Sequence, residues 1–171
     1  TRELIGFEAL LRWHDAEGVV QLPSTIVEAF NDYELASKIT ETMQTRIFQD
    51  IAMWLEQGID TVPISINASP VEFMRDNYAE KLLKRLSTYN IPHELVEIEI
   101  TEHMLAERGY EYVIRALKKM KNAGVRIALD DFGTGHSSLT HLSDYPVDCL
   151  KIDCGFVNRM NEEKPINAIV E

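Results

Sequence analysis

The fold of this chain is decided by one stretch, Arg126-Ile127-Ala128-Leu129-Asp130-Asp131-Phe132-Gly133-Thr134-Gly135. An apolar strand leads directly into two adjacent carboxylates and then into a turn that contains two glycines. Two carboxylates at the end of a buried strand are costly unless a cation neutralises them. Hard divalent cations such as Mg²⁺ prefer carboxylate oxygens, so the stretch indicates a metal site. The same residues are also compatible with a helix N-cap and a solvated turn, because Asp is common where strands end.

The composition limits the classes of protein that remain possible. The chain has 171 residues, of which 45% are hydrophobic, and this suits a single globular domain with a sizeable core. The formal net charge of −11 disfavours sequence-independent binding to nucleic-acid polymers. No apolar run reaches the ~18–20 residues of a membrane span. The two cysteines, Cys149 and Cys154, match no metal or redox spacing. We therefore expect a cytoplasmic localisation, reduced cysteines and no membrane segment in this chain.

The hydrophobic periodicity predicts strands that alternate with helices. Strands are predicted at residues 4–13, 61–67, 95–101, 125–130 and 147–153. Helices are predicted at residues 33–57, 70–89 and 110–122, with shorter ones at 23–30 and from Ser137 onward. Because the connections are long enough for crossovers, the alternation predicts a parallel sheet.

Each predicted strand has an apolar face and a polar face. Helices must cover the outside of the sheet, so the polar face is predicted to point inward, with Glu8, Arg12, Asn67, Glu99, Asp130 and Lys151. Polar residues at the ends of successive parallel strands are typical of the mouth of a (β/α)₈ barrel. A doubly wound sheet would instead have almost continuously apolar strands. We therefore predict an α/β fold of the TIM-like barrel type, incomplete here because only about five of the eight strands are present.

The inward-facing residues have the chemistry of a metal site that handles phosphate. Glu8, Asn67, Glu99 and Asp130 form an all-oxygen set, which suits Mg²⁺ or Mn²⁺ better than zinc. Asp131 is placed to hold a second ion ~3.5–4 Å from the first. Arg12 suits a phosphate group, and Lys151 suits an attacking water or the charge on phosphorus. Each residue also has a simpler interpretation, a solvated strand end or an ion pair.

Together these segments resemble the EAL-domain family of bacterial cyclic-di-GMP-specific phosphodiesterases. The resemblance rests on five motifs in the family's order: Glu8-Ala9-Leu10 extended by Leu11-Arg12; Ile64-Ser65-Ile66-Asn67-Ala68-Ser69-Pro70; Glu97-Ile98-Glu99-Ile100-Thr101-Glu102; Asp130-Asp131-Phe132-Gly133-Thr134-Gly135 with Ser137-Ser138-Leu139; and Leu150-Lys151-Ile152-Asp153.

The resemblance implies an EAL-type barrel with two Mg²⁺ or Mn²⁺ ions at its mouth. It assigns metal binding to Glu8, Asn67, Glu99, Asp130 and Asp131, catalysis to Lys151 and Asp131, and substrate contacts to Leu11, Arg12 and Asp153. Glu102 would anchor the loop that contains Gly133, Thr134 and Gly135. In the family this loop links the site to a dimer interface, so a homodimer through the region of Asp130–Leu139 is expected.

The reaction implied is hydrolysis of cyclic di-GMP to linear pGpG, which lowers the level of this second messenger in bacterial signalling. Against the family pattern, residues 1–171 correspond to a partial domain without the family's first strand and its C-terminal strands. Two alternatives remain open at this point. One is a non-catalytic cyclic-di-GMP receptor or dimerisation module, and the other is an inactive fragment of the enzyme.

Overall fold

The computed structural model of the chain describes residues 3–106, 110–132 and 145–159. The strands in chain order are β1 Phe7–Ala9, β2 Trp13–His14, β3 Val20–Gln21, β4 Ile64–Asn67, β5 Val96–Thr101, β6 Arg126–Phe132 and β7 Cys149–Ile152. Five of them form one parallel sheet in the order β1-β4-β5-β6-β7, which curls into a half-barrel. The other two, β2 and β3, form a separate antiparallel hairpin.

Helices lie between the strands of the sheet as crossovers, and a last helix follows β7. They are α1 Tyr33–Glu56, α2 Pro70–Phe73, α3 Tyr78–Thr88, α4 Glu102–Ala106, α5 Tyr110–Asn122 and α6 Cys154–Arg159, with 3₁₀ turns at Pro23–Phe30 and His93–Leu95. The carboxylate of Asp32 starts α1 by accepting a hydrogen bond from the Leu35 N–H at 2.9 Å, a cap worth ~1 kcal/mol. Gly124 follows α5 with a φ of 98°, a left-handed conformation that Gly adopts without strain. In the part of the chain that is described, no helix is both long and apolar enough to cross a membrane.

The core lies between the sheet and the helices. Its sheet side consists of buried apolar residues from the three central strands: Ile64, Ile66, Val96, Ile98, Ile100, Ile127 and Leu129. Helix residues such as Phe48, Leu82 and Leu117 belong to the same cluster. The prediction that the apolar face of the sheet points outward, toward the helices, is therefore confirmed.

The strand register places the polar residues in rows on the opposite face. Glu8 is paired with Ser65, which is paired with Glu97, which is paired with Arg126. One step nearer the mouth, Asn67 is paired with Glu99. Because paired residues in neighbouring strands project to the same face, the predicted inner polar face of the sheet is present.

The first predicted strand is much shorter in the structure than in the prediction. Only Phe7–Ala9 joins the sheet, and the chain then turns into the hairpin that begins at Trp13. Asp15 stabilises the hairpin, because its carboxylate accepts hydrogen bonds from the N–H of Val19 and from the Gln21 side chain. Arg12 lies outside β1, so the prediction that it shares a strand face with Glu8 is wrong.

Other boundaries also differ from the prediction, and β4 and β7 are both shorter than predicted, at Ile64–Asn67 and Cys149–Ile152. The helix predicted at 70–89 is divided into α2 and α3 by a turn at residues 74–77, where Asp76 and Asn77 favour non-helical backbone. Strand β6 continues to Phe132, two residues beyond the predicted end at Asp130, so Asp131 also lies within the strand. The short helix predicted from Ser137 lies outside the described residues.

Candidate active site at the mouth of the half-barrel

The carboxyl ends of β1 and β4 bring two predicted ligands into contact. Asn67 is the last residue of β4, and its Nδ2 donates a hydrogen bond to Glu8 Oε1 at 2.9 Å. Because Nδ2 is engaged in this way, Oδ1 is the Asn67 side-chain atom that remains to face a cation. Both side chains are exposed, so a ligand can reach them.

Glu99 is the most deeply buried carboxylate of the predicted set, with 1% of its surface exposed. Its Oε1 accepts a hydrogen bond from Lys151 Nζ on β7. Its Oε2 is buried and has no hydrogen-bond partner among the described residues. The Ser65 hydroxyl is nearby, but it donates its single hydrogen to Glu97 Oε1 at 2.6 Å. A buried carboxylate oxygen without a partner is unfavourable, and a bound cation would satisfy it.

Lys151 is surrounded by the negative charges of the site. Burial by itself lowers the pKa of Lys151, but the hydrogen bond to Glu99 and the charges of Glu99, Glu8 and Asp130 outweigh it, so the pKa is raised. Lys151 is therefore protonated at neutral pH. Burial raises the pKa of Glu99, and the hydrogen bond from Lys151 acts in the opposite direction. Lys151 therefore forms an ion pair with a neighbouring carboxylate, Glu99, and this ion pair lies within the predicted metal site.

A β-bulge places the Asp pair at the rim. Between Leu129 and Phe132, β6 has one more residue than β7, and Asp131 adopts a φ of 55°. Asp tolerates this left-handed conformation better than most residues do, and a bulge re-aims side chains that would otherwise alternate between the two faces. Asp131 therefore does not follow the regular in-and-out alternation of the strand.

The carboxylates around the bulge repel one another. Burial raises the pKa of Asp131, and the negative charges of Asp130 and Asp153 raise it further, whereas His103 lowers it. The structure thus brings the predicted residues Asp130, Asp131 and Asp153 within electrostatic range. Sequence reasoning missed His103, and the available signal was its position directly after β5 and Glu102.

Arg12 reaches the site from the hairpin connection instead of from β1. Its guanidinium is exposed, and Nη1 donates to the backbone oxygen of Leu11 at 2.6 Å. Arg12, Leu11 and Asn67 line a cleft of about 290 Å³ whose other walls are mainly apolar, including Leu10, Pro23, Phe30, Ile39, Ala68 and Pro70. The cleft beside Asn67 therefore has a positively charged side chain, Arg12, next to an apolar surface.

The donors suit a hard divalent cation in their chemistry. Within residues 3–106, 110–132 and 145–159, no set of three or more His, Cys, Asp or Glu side chains is already arranged to hold one ion. The oxygen-only donors and the unpartnered Glu99 Oε2 nevertheless fit Mg²⁺ or Mn²⁺. Glu102 is buried, with 2% exposure, whereas Gly133, Thr134 and Gly135 lie outside the described residues. The loop-anchor role of Glu102 stays a prediction.

The fold and the site define a class of protein. It is a parallel α/β half-barrel whose acidic residues and lysine gather where the strands end, as they do at the active face of TIM-like barrels. In such barrels the loops that follow the strands form the ligand-binding site.

Comparison with known proteins places the chain within this class. The model of the EAL domain matches residues 1–171. The oxygen sensor protein DosP of Escherichia coli (strain K12) is 32% identical over 171 residues, which cover 100% of this chain and 21% of DosP. The probable cyclic di-GMP phosphodiesterase PdeB of the same organism is 30% identical over 169 residues, 99% of this chain and 32% of PdeB. The solved structure "PaMucR Phosphodiesterase, c-di-GMP complex" has a TM-score of 0.85 at 29% identity, over 98% of this chain and 68% of that chain.

The chain belongs to the EAL domain family, and the predictions of the family and of an incomplete TIM-like fold are confirmed. It spans about a fifth to a third of the length of the two curated relatives.

Proposed function

We propose that this chain binds cyclic di-GMP at the mouth of the half-barrel and takes part in its metal-dependent hydrolysis to linear pGpG. The observation that carries the proposal is Glu99, whose buried Oε2 has no partner among the described residues while Lys151 holds its Oε1. The name of PdeB and the ligand in the MucR structure support the same substrate.

Glu8, Asn67, Glu99 and Asp130 are the proposed ligands of a first Mg²⁺ or Mn²⁺ ion, and Asp131 is the proposed ligand of a second. When bound, such ions supply a polarised phosphoryl oxygen and a water of lowered pKa. The protein's contribution is a negative potential, since Asp130, Asp131 and Asp153 repel one another and a cation relieves that repulsion.

The cleft beside Asn67 suits a nucleotide. Its apolar walls can receive a planar base, while the Arg12 guanidinium at its edge can pair with phosphate oxygens. Leu11 forms part of the same wall. Arg12 therefore retains its proposed substrate role, although it acts from the hairpin connection.

Lys151 is the proposed positioning group for the attacking water. Its ammonium group is charged and lies among Glu8, Glu99 and Asp130, so it can donate to a water and also neutralise charge that develops on phosphorus. At the rim, Asp131 is also a proposed catalytic residue, and Asp153 is a proposed substrate contact.

The test is to supply the full-length protein with cyclic di-GMP and Mn²⁺ or Mg²⁺ and to separate the products by anion-exchange chromatography. We expect pGpG to accumulate, and we expect Glu99→Gln to lower the rate by at least about 100-fold because it removes a proposed metal ligand. Glu97→Gln is the matched control, since Glu97 lies on the same strand and face but outside the proposed site, and it should retain the wild-type rate.

Two outcomes would overturn the proposal. Tight binding of cyclic di-GMP without any pGpG, measured by calorimetry, would make the chain part of a receptor. Full turnover by folded Glu99→Gln would show that the site lies elsewhere.

A further inference from the structure

A cluster of polar side chains is buried behind the site, between α1, α2 and α3. Thr40 Oγ1 donates to Glu72 Oε2 at 2.7 Å, and Arg85 Nη1 donates to Gln44 Oε1 at 2.7 Å. Glu72 is 6% exposed, and Gln44 is fully buried. Burying a carboxylate is unfavourable even when it is hydrogen-bonded, and none of the proposed chemistry uses Glu72.

Glu72 is connected to the site through a short stretch of backbone. It follows Asn67 by five residues. The Ala68 N–H donates to the backbone oxygen of Glu99 at 2.9 Å, and Ser69 Oγ donates to the backbone oxygen of Phe30 at 3.1 Å. The Glu72 N–H then donates to the backbone oxygen of Ser69 at 3.1 Å. Hydrogen bonds therefore hold this stretch at Ala68, Ser69 and Glu72.

The helix that carries Glu72 cannot hold its own position. Helix α2 has only 4 residues, far fewer than the ~12–15 that an isolated helix needs. Tertiary contacts must place it. Phe73 packs its ring against Tyr78 of α3, with 4.3 Å between the centroids, and Glu72 binds Thr40 of α1. Glu72 is therefore the polar tie between the Asn67 segment and α1.

We propose that Glu72 is a positioning residue, whose bond to Thr40 ties the segment from Asn67 to Pro70 to α1 and so holds Asn67 against Glu8. An apolar residue of similar size would fill the space at a lower desolvation cost, but it would give α2 no directional bond to α1. We call the bond between Glu72 and Thr40 the tether, and the contacts alone support it. Only its effect on cation binding rests on the proposed function.

The electrostatics of the cluster agree with a carboxylate held among helices. Burial raises the pKa of Glu72, while Thr40, the Ser69 backbone, Arg85 and Lys81 act in the opposite direction. Burial and the negative charge of Glu72 also raise the pKa of the Tyr78 hydroxyl, which stays neutral at physiological pH.

Hydrogen exchange of the full-length protein without metal tests the tether. In Glu72→Leu we expect the Ala68 amide to exchange about ten-fold faster or more, because local opening no longer has to break the bond to Thr40. Thr40→Val removes the same bond from the α1 side and should act alike, which keeps the test valid if Glu72→Leu folds poorly. Glu72→Gln retains an acceptor for Thr40 and should stay near the wild type.

The matched control is Gln44→Leu. Gln44 lies one helical turn from Thr40 and belongs to the same buried cluster, but it contacts Arg85 rather than the segment after Asn67. Gln44→Leu should lower the free energy of unfolding, and it should speed exchange of the Ala68 amide no more than exchange of the amides at the centres of β5 and β6.

A second measurement follows Mn²⁺ binding by electron paramagnetic resonance of the free ion. We expect Glu72→Leu and Thr40→Val to raise the Mn²⁺ dissociation constant about ten-fold, as loss of a supporting group around a metal site does. Glu72→Gln and Gln44→Leu should bind as the wild type does.

The exchange and metal results separate the two proposals. Wild-type exchange at Ala68 in folded Glu72→Leu and Thr40→Val, or equal acceleration throughout the sheet, would overturn the tether. Local acceleration in a protein that binds no Mn²⁺ would support the tether and refute the proposed metal site.

Discussion

Glu97 and Glu99 lie two residues apart on β5, they point to the same face of the sheet, and both are buried. Their surroundings differ. The oxygens of Glu97 are both used, one by the Ser65 hydroxyl at 2.6 Å and the other by Arg126 Nε at 3.4 Å. Glu99 shares one oxygen with Lys151, and its other oxygen has no partner in the described structure.

The difference separates a carboxylate that stabilises the sheet from one that is available for chemistry. Glu97 lies deeper in the half-barrel, where its partners come from the neighbouring strands β4 and β6. Glu99 lies nearer the mouth, where it faces Lys151 and the charges of Glu8 and Asp130. The same residue type therefore has two roles, and the number of satisfied oxygen atoms distinguishes them.

The largest effect on stability is expected from Lys151→Met. It leaves the Glu99 carboxylate buried without its counter-ion, which should reduce the free energy of unfolding by about 2–4 kcal/mol at neutral pH. Urea unfolding of the full-length protein measures the loss. The loss should shrink in Lys151→Met/Glu99→Gln, and an equal loss in the single and double variants would contradict the pairing.

A smaller effect is expected from Glu97→Leu. The change removes the acceptor of the Ser65 hydroxyl and the ionic partner of Arg126, which should destabilise the chain by about 1–3 kcal/mol. Because Glu97 is outside the proposed site, the folded variant should hydrolyse cyclic di-GMP at the wild-type rate. A rate that falls as far as that of Glu99→Gln would erase the distinction between the two carboxylates.

Arg126→Met should have a still smaller effect. The Arg126 side chain is 48% exposed, and its contact with Glu97 is long, so the ion pair is screened by solvent. We expect a loss below about 1 kcal/mol in urea unfolding, with a rate of hydrolysis that is unchanged. If Arg126→Met reduced the free energy of unfolding as much as Lys151→Met does, Arg126 would contribute as much to stability as Lys151.

The smallest effect is a change in how the free energy of unfolding depends on pH, and it extends the comparison to another buried carboxylate, Glu72. Its pKa is raised in the folded state above the ordinary value of 4.5, so the folded chain binds more protons than the unfolded chain between these two values. The contribution of Glu72 to the free energy of unfolding therefore falls as the pH rises from about 4.5 through the pKa of the folded state.

In Glu72→Gln the side chain at this position cannot ionise, so the variant does not lose this stability as the pH rises. We expect the free energy of unfolding of Glu72→Gln, relative to the wild type, to be more favourable at pH 7 than at pH 4. Urea unfolding at the two pH values measures the difference. A relative stability that is the same at both would show that Glu72 has the same pKa in both states.

The periodicity of the sequence predicted the parallel order of the strands, the long helices and the inward polar face. These features depend on local patterns and on general packing rules. The early end of β1 was not predicted, because the strand-like pattern continues through Leu10, Leu11 and Arg12, past Ala9 where β1 ends. Likewise, the bulge at Asp131 depends on pairing with β7, and no local pattern reports that pairing.

The candidate site was predictable as a set of residues, but not as a set of contacts. Strand ends predicted Glu8, Asn67, Glu99, Asp130 and Lys151, because their positions follow from strand parity. The unpartnered oxygen of Glu99 and the tie from Glu72 to Thr40 depend on which side chains meet across the fold. Residues far apart in the chain create them, and periodicity carries no information about such contacts.

The left-handed backbone at Asp131 has a consequence for sequence drift. At a φ of 55°, Asn and Gly are accommodated without strain, whereas β-branched residues are not. Replacement by Asn or Gly removes the carboxylate and keeps the bulge, so the domain can lose charge at this position and still fold. We expect descendants of this domain that bind without hydrolysing to carry Asn or Gly at position 131, and to lack Val or Ile there.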